Sequence, residues 1–299
     1  MKLDWIAVDW GTSNLRAWGL DAANRVIVHA SSDAGMGGLA PSDFEPALLA
    51  LVGDWLDTAK TPVVACGMVG AAQGWMDAGY RAVPTGQHMA TEAVFAPCND
   101  PRLAVRILGG LCQAKPADVM RGEETQIAGY LAGTDKFSGV ICQPGTHSKW
   151  VQVMEGEVFH FATFMTGELY ALLSKQSVLR HTIKDGDDAE TFTVALDDAL
   201  SRPERIAANL FNLRAEAVLN KLAPEVAGAR LSGLLLGLEL AGAKPYWLGQ
   251  NVVLIADGAL GHLYSQALAA VGLDVTIADP TDCVLKGLIA AKTELDGNE

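Results

Sequence analysis

Three short apolar runs open the chain, at residues 4 to 10, 15 to 20 and 25 to 31, separated by a turn at Gly11 and by Ala22-Ala23-Asn24. Runs of this length between turn residues predict an antiparallel meander at the start of a mixed sheet. After Pro41, residues Leu48, Leu49, Val52, Trp55 and Leu56 recur at helical spacing, which predicts a helix from residue 42 to 58. Thr61-Pro62 then leads into a buried strand, Val63-Val64-Ala65-Cys66. Residues 67 to 102 are rich in Gly, Pro and small polar side chains and read as a long functional loop with at most one strand. A strand at 102 to 108 and a helix at 122 to 132 complete the first part of the chain.

From residue 133 the order repeats: a strand at 139 to 143, a Gly-Thr turn, then strands at 149 to 154 and 157 to 162. Gly11 and Gly145 begin corresponding turns, so the two halves point to duplication of one strand-turn-strand-strand unit. Helices are expected from 167 to 243, with breaks at Asp185-Gly186-Asp187 and at Pro224. The strand 252 to 256 meets Asp257-Gly258 before a helix at 259 to 271, and a strand at 274 to 278 precedes a last helix at 282 to 293. The expected organisation is an N-terminal lobe over 1–120. Residues 121–299 form a connecting helix and a C-terminal lobe, with the last helix packing back toward the hinge.

With 50% apolar and 19% charged residues the chain can bury a substantial core, and 299 residues suit two lobes with a cleft between them. The net charge of −13 argues against a nucleic-acid or anionic-membrane partner, since both need a concentrated basic face. An anionic ligand must therefore meet locally placed cations or a divalent metal. Five cysteines without C-x-x-C or zinc-finger spacing give no disulfide framework or metal signature. The N-terminal residues lack a signal-type stretch, and no apolar run reaches the roughly 20 residues that span a bilayer, so the expected location is the cytoplasm.

The strongest chemical signal is the pair of glycine turns. Gly11, Thr12, Ser13 and Asn14 follow one strand, and Gly145, Thr146, His147, Ser148 and Lys149 follow another. Glycine lets backbone N–H groups approach an anion, and the adjacent hydroxyls and amides add donors for phosphate oxygens. The P-loop pattern is absent. Gly35-Met36-Gly37-Gly38-Leu39-Ala40 matches a dinucleotide fingerprint, but Pro41 and Ser42 place its helix too late. Asp9, ending the first strand, suits Mg²⁺, directly or through water, or simple capping of the turn.

Glu123 and Glu124 open a helix, where they either answer its dipole or act on an acceptor hydroxyl. Gly67, Met68, Val69, Gly70 and Gln73 form a loop suited to a hydroxyl-rich ligand, or a structural glycine loop around Trp75. Thr166, Gly167 and Glu168 form a comparable helix entry. Asp257, Gly258 and Ala259 make a strand-glycine-helix junction of the kind that contacts an adenine nucleotide. No G-x-S-x-G elbow or H-E-x-x-H motif is present, and His29, His88, His160, His181 and His262 read as structural or surface residues.

Together these features resemble the actin, hexokinase and acetate-kinase superfamily and, more narrowly, the 2-dehydro-3-deoxygalactonokinase family. The resemblance covers nearly the whole chain. It is carried by residues 8 to 18, Ala65-Cys66-Gly67-Met68-Val69-Gly70, Arg121-Gly122-Glu123-Glu124-Thr125-Gln126, Pro144-Gly145-Thr146-His147-Ser148-Lys149-Trp150 and Thr163-Phe164-Met165-Thr166-Gly167-Glu168-Leu169. It implies an α/β, two-lobed actin-like ATPase (ribonuclease H-like) fold with duplicated mixed-sheet domains and a nucleotide cleft between them.

The implied activity is ATP- and Mg²⁺-dependent phosphorylation of the terminal hydroxyl of 2-dehydro-3-deoxy-D-galactonate in galactonate catabolism. Another sugar acid, such as the gluconate-derived epimer, or a non-catalytic nucleotide sensor are the alternatives. The partners would be ATP and a small sugar acid, and a homo-oligomer is compatible with this reading. Residues 11 to 14 and 145 to 149 would cradle phosphates, the 67 to 75 loop would face the sugar acid, and Asp257, Gly258 and Ala259 would lie beside adenosine. Many superfamily sugar kinases carry an acid in the second phosphate segment, whereas here the strand runs into Gln143-Pro144-Gly145. The base is therefore expected at Glu123, with Glu124 and His147 as alternatives, Asp9 on the metal side, and Arg121 or Arg16 on the substrate carboxylate.

Overall fold

The computed structural model describes residues 2–86 and 92–297, so His88 lies outside the described residues. Two compact units emerge. Unit 1 comprises Met1–Phe137, Val153–His160 and Asp279–Glu299, and unit 2 comprises Ser138–Gln152 and Phe161–Ala278.

Unit 1 is built on β1 (Trp5–Trp10), β2 (Leu15–Leu20) and β3 (Val26–Ser32), the expected meander. These pair antiparallel, with Asp9 opposite Arg16 across β1 and β2. The predicted helix starts as a one-turn 3-10 segment at Pro41–Asp43, becomes α1 (Phe44–Val52) and ends in a second 3-10 turn. Next come β4 (Thr61–Gly67), β5 (Tyr80–Ala82), β6 (Val94–Phe95), β7 (Leu103–Ile107), β8 (Gly110–Ala114) and β9 (Ala117–Met120). The main sheet has the order β3-β2-β1-β4-β7-β6, with β4 parallel to both β1 and β7.

β1 is apolar on both faces because both are covered. Ile6, Val8 and Trp10 pack with Phe44 and Leu48 of α1, whereas Trp5 and Ala7 pack with Val284 and Leu288 near the C-terminus. The stretch 67 to 102 departs from expectation by holding two short strands, β5 and β6, rather than at most one. β5, β8 and β9 form a separate three-stranded sheet that the sequence reading lacked. α2 (Glu123–Ala132) follows.

In unit 2, β10 (Gly139–Gln143), β11 (Ser148–Met154) and β12 (Glu157–Phe164) lead to α3 (Thr166–Lys175), α4 (Ala189–Ser201), α5 (Ile206–Asn220), α6 (Pro224–Gly242) and the short α7 (Lys244–Trp247). Then come β13 (Val252–Ile255), α8 (Gly258–Ala270) and β14 (Thr276–Ala278). The sheet order β12-β11-β10-β13-β14 repeats the β3-β2-β1-β4-β7 order of unit 1, with β13 parallel to β10 and β14. The breaks expected near residues 185 to 187 and at Pro224 are both present. Residues 153–160, the tip of the β11-β12 hairpin, group with unit 1, where Val158 bridges Thr85.

The last helix, α9 (Pro280–Gly297), returns to unit 1 and packs on α2. A Cβ on Gly129 of α2 would lie 1.8 Å from the carbonyl oxygen of Cys283, and one on Gly287 of α9 would lie 1.9 Å from that of Thr125. Glycines at both positions allow the two backbones to touch. By this packing α2 belongs with residues 1 to 120, so the contact boundary falls after Phe137 rather than at residue 120.

Candidate active site

In unit 1 the first turn is closed by the Gly11 N–H donating to the Asn14 carbonyl at 2.9 Å, leaving Thr12, Ser13 and Asn14 exposed. The segment that mimicked a dinucleotide fingerprint braces this turn. Met36 and Gly37 donate to the carbonyls of Gly11 and Thr12, and a Cβ on Gly35 would sit 2.3 Å from the Thr12 oxygen. Gly11 itself has a negative φ, and its missing Cβ would meet nothing closer than 3.7 Å. Neither backbone strain nor a protein neighbour demands glycine there, which leaves the space beside it open to a ligand.

Asp9 Oδ2 accepts from both Nε and Nη2 of Arg16, and Oδ1 faces the Cys66 thiol at 3.8 Å. Arg16 also donates to Thr281 Oγ1 at 3.2 Å and lies over the Trp18 ring. Its guanidinium is thus committed within the protein, which disfavours it as the receiver of a substrate carboxylate.

Arg121 is in the opposite condition. It is buried, its Nη2 donates to the Gly79 carbonyl at 2.8 Å, and its guanidinium lies 4.2 Å from the Tyr80 ring centre. Nε and Nη1 have no hydrogen-bond partner. A buried cation with two unmatched donors is costly by itself and is the state that an incoming carboxylate would relieve. Around it, Gly67 (φ 93°) and Gly122 (φ 104°) take left-handed conformations, and a Cβ on Gly122 would lie 3.3 Å from the Gly67 Cα. Gln73 is exposed and Met68 half-buried, but the Val69 side chain is fully buried in the core, so that residue offers a ligand no side-chain contact.

The two glutamates separate clearly. Glu123 is half-buried, and its carboxylate accepts the Arg121 N–H at 3.0 Å. Glu124 is fully buried, accepting from the Gly122 N–H at 2.6 Å and from Thr125 Oγ1 at 3.1 Å. Burial, reinforced by the neighbouring Glu123 charge, raises the Glu124 carboxyl to about 8. At neutral pH it carries its proton and cannot accept another.

In unit 2 the second turn is shorter than the sequence indicated. Thr146 and His147 are exposed and Gly145 is half-buried, whereas Ser148 and Lys149 already belong to β11 and are buried. Ser148 Oγ is used up inside the unit, bonding Glu239 at 3.1 Å and lying 2.6 Å from the Tyr264 hydroxyl, so it is not a phosphate donor. His147 Nε2 lies 2.6 Å from Glu168 Oε2, and the Glu168 N–H donates to the Thr146 carbonyl at 2.9 Å. A Cβ on Gly167 would sit 2.3 Å from the Gly145 oxygen, so α3 starts directly against the turn.

A cavity of 620 Å³ lies wholly within unit 2 and reaches Gly145. Its walls include Phe192, Leu235, Leu236, Leu260 and Leu263, with polar groups from Tyr170, Asp185, Ser232, His262 and Gln266. Ala259 lines it, while Asp257 and Gly258 lie outside its lining at the exposed start of α8. Thr166 and Gly167 also line it. His262, read as a structural or surface residue, is exposed and forms part of the wall.

Glu239 went unnoticed in the sequence. It is buried in α6, accepting from Trp150 Nε1 at 2.9 Å and from the Tyr264 hydroxyl at 2.8 Å besides Ser148. A lone acid within Leu234-Leu235-Leu236-Gly237-Leu238-Glu239-Leu240 was the available signal.

Among the described residues no group of three or more His, Cys, Asp or Glu side chains could hold a metal by itself. Mg²⁺ keeps several waters and binds through one or two carboxylates together with phosphates. Asp9 is the carboxylate beside the first turn. Among the described residues no helix is long and apolar enough to cross a membrane.

The model of the 2-keto-3-deoxy-galactonokinase family matches residues 9–291. The probable 2-dehydro-3-deoxygalactonokinase of Rhizobium meliloti is 40% identical over 293 residues, 95% of each chain. The 2-dehydro-3-deoxygalactonokinase of Escherichia coli is 37% identical over 284 residues, 92% of this chain and 93% of its own. A crystal structure from Sinorhizobium meliloti, provisionally assigned the same activity, superposes with a TM-score of 0.91 at 38% identity, covering 97% of this chain and 99% of that one. At 12% identity and a TM-score of 0.50, the activator of a Clostridium difficile 2-hydroxyisocaproyl-CoA dehydratase shares the fold alone. The α/β architecture with mixed sheets agrees with the expected fold class.

Proposed function

The chain belongs to the 2-keto-3-deoxy-galactonokinase family, and from that premise we propose that it transfers the γ-phosphoryl group of ATP to the C6 hydroxyl of 2-dehydro-3-deoxy-D-galactonate. The observation that carries the substrate class is Arg121, a buried guanidinium with two unmatched N–H donors beside a glycine-rich loop. A sugar acid brings the carboxylate that this cation lacks, and the planar guanidinium fork suits it. Gln73 and the backbone around Gly67 and Gly70 provide further polar groups for hydroxyls.

Glu123 is the base. It is half-buried and held by the Arg121 backbone N–H, whereas Glu124 keeps its own proton at neutral pH. Glu123 orients the acceptor hydroxyl and takes its proton as the oxygen attacks phosphorus in line. In unit 2, Gly145 to His147 donate to phosphate oxygens; in unit 1, Gly11 to Asn14 present donors of the same kind. The nucleoside occupies the cavity of unit 2, its base against the leucine and phenylalanine walls. Mg²⁺ would be held by Asp9, directly or through water, and when bound supplies charge neutralisation on the phosphates.

A coupled ADP-release assay on the galactonate- and gluconate-derived 2-dehydro-3-deoxy acids tests the reading. Turnover is expected with the galactonate epimer at the higher kcat/KM. Equal or better use of the gluconate epimer would overturn the substrate, and the absence of any sugar-acid-dependent ADP would leave a nucleotide sensor.

A further inference from the structure

Glu239 has no place in the reaction outlined above, yet its buried carboxyl collects side chains from three other elements. Ser148 and Trp150 come from β11 directly after the second turn, and Tyr264 comes from α8. Thr166, the first residue of α3, bonds it as well. Ser148 Oγ and the Tyr264 hydroxyl also lie 2.6 Å from each other, so with one proton apiece at most three of these four groups donate to the carboxyl at once. Burial pushes the Glu239 carboxyl upward, and hydrogen bonds from these groups oppose that shift.

Two of the four groups, Thr166 and Tyr264, also line the cavity, and a third, Ser148, is the residue at which the turn ends. The same carboxyl therefore fixes where β11 leaves the turn, where α3 begins against Gly145, and how α8 stands beside the cavity.

We infer that Glu239 is a positioning residue for the nucleotide: it sets the spacing between the Gly145–His147 phosphate turn and the nucleoside cavity, without touching ATP itself. The inference rests on the assignment of that cavity to the nucleoside. An apolar residue at this position would leave the buried Trp150, Tyr264 and Ser148 groups without their shared acceptor, and a buried carboxyl of this kind specifies one arrangement of several elements. Arg121, Gln73, Gly67 and Gly70, the residues proposed above for the sugar acid, lie in unit 1, so the effect should be confined to the nucleotide.

The test is calorimetric titration of the full-length protein with the unreactive β,γ-imido analogue of ATP and, separately, with the sugar acid. Glu239→Leu keeps the volume and removes the shared acceptor. Its Kd for the analogue should rise at least about tenfold, the order for losing one or two net hydrogen bonds, while sugar-acid affinity stays within about twofold. Glu239→Gln can accept from Trp150 and turn its amide toward the hydroxyl oxygens, so it should recover to within about threefold of the parent. A folded Glu239→Leu variant with unchanged analogue affinity, or one that weakens both ligands equally, would overturn the inference.

If Glu239→Leu does not fold, Tyr264→Phe carries the test by removing one hydroxyl; it should weaken the analogue by about threefold or more, and no change would count against the inference. Ser232→Trp, which fills the cavity, separates the two levels. Loss of analogue binding there with none in Glu239→Leu defeats the positioning role alone. Unimpaired binding in Ser232→Trp defeats the cavity assignment, and the inference with it.

Discussion

The Arg121 guanidinium lies in the space that Gly70 leaves free: a Cβ on Gly70 would come within 2.9 Å of Arg121 Nη1. The loop after β4 and the residue after β9 are thus fitted to each other through a missing side chain. Nε and Nη1 are buried without a partner of their own, which is the ground for proposing a substrate carboxylate there. Arg121→Gln should raise the KM for the sugar acid about 10- to 100-fold, the worth of a charge-assisted hydrogen bond, while the KM for ATP stays within about twofold. A substrate analogue with its carboxylate converted to an amide should lose most of this difference between parent and variant. If the amide is discriminated as strongly as the acid, Arg121 shapes the loop only.

Glu123 and Glu124 are adjacent in sequence and opposite in environment, which makes their amide variants diagnostic. Glu123→Gln should lower kcat by about 100-fold or more with little change in ATP affinity, as expected for a lost general base. Glu124→Gln replaces a carboxyl that is already neutral at pH 7, so kcat should fall by less than about tenfold. Steady-state rates at saturating ATP decide the matter, and a reversed ranking would transfer the base to Glu124.

Burial of Glu124 also fixes the sign of a stability effect. Its carboxyl titrates near 8 in the folded chain but near 4.5 when exposed, so between those values the folded state holds a proton that the unfolded state has released. Stability from this group is full below about pH 4.5, declines as pH rises toward 8, and is level beyond. Urea unfolding of the parent and of Glu124→Gln between pH 5 and 9 should show the parent losing ground to the variant across that window. A difference independent of pH would mean that the carboxyl is ionised throughout.

Much of this arrangement was legible in the residues. β1, β2 and β3 fall within two residues of the predicted runs because each is a compact apolar segment ended by turn residues, and the repeated order disclosed the second sheet. The small sheet of β5, β8 and β9 was hidden because Tyr80–Ala82 and Gly110–Ala114 pair only through non-local contact and show little alternation of their own. The end of the second turn was hidden for a related reason. Hydroxyl and ammonium groups at Ser148 and Lys149 look like phosphate donors until a strand buries them, and the carboxyl that receives Ser148 lies 91 residues away. Arg16 and Arg121 were equivalent cations in the sequence. The cross-strand register that sets Arg16 opposite Asp9, and the burial of Arg121, distinguish them.

Asp9 is held by Arg16 through Oδ2 alone, which leaves Oδ1 facing Cys66 as the oxygen free of cationic partners. Asp9→Asn keeps the shape but removes the charge that a metal or its waters would meet. The Mg²⁺ concentration giving half-maximal rate should rise about tenfold or more at fixed ATP. An unchanged Mg²⁺ titration would reduce Asp9 to the partner of Arg16.

The α2-α9 crossing offers a test of how the far end of the chain supports the candidate base. Gly287→Ala would place a methyl 1.9 Å from the Thr125 carbonyl oxygen, and since both atoms belong to backbone, one helix must move. Overpacking of this kind costs about 1–3 kcal/mol, seen as a lower urea midpoint. α2 begins at Glu123, so its displacement should also lower kcat under conditions where the protein remains fully folded. Gly133→Ala, at the end of the same helix, is the matched control. Its Cβ meets nothing nearer than 3.6 Å, and its φ of −93° suits any residue, so stability should stay within about 0.5 kcal/mol and kcat should be unchanged. If Gly287→Ala lowers the midpoint but leaves kcat intact, α9 stabilises the fold without setting the position of Glu123.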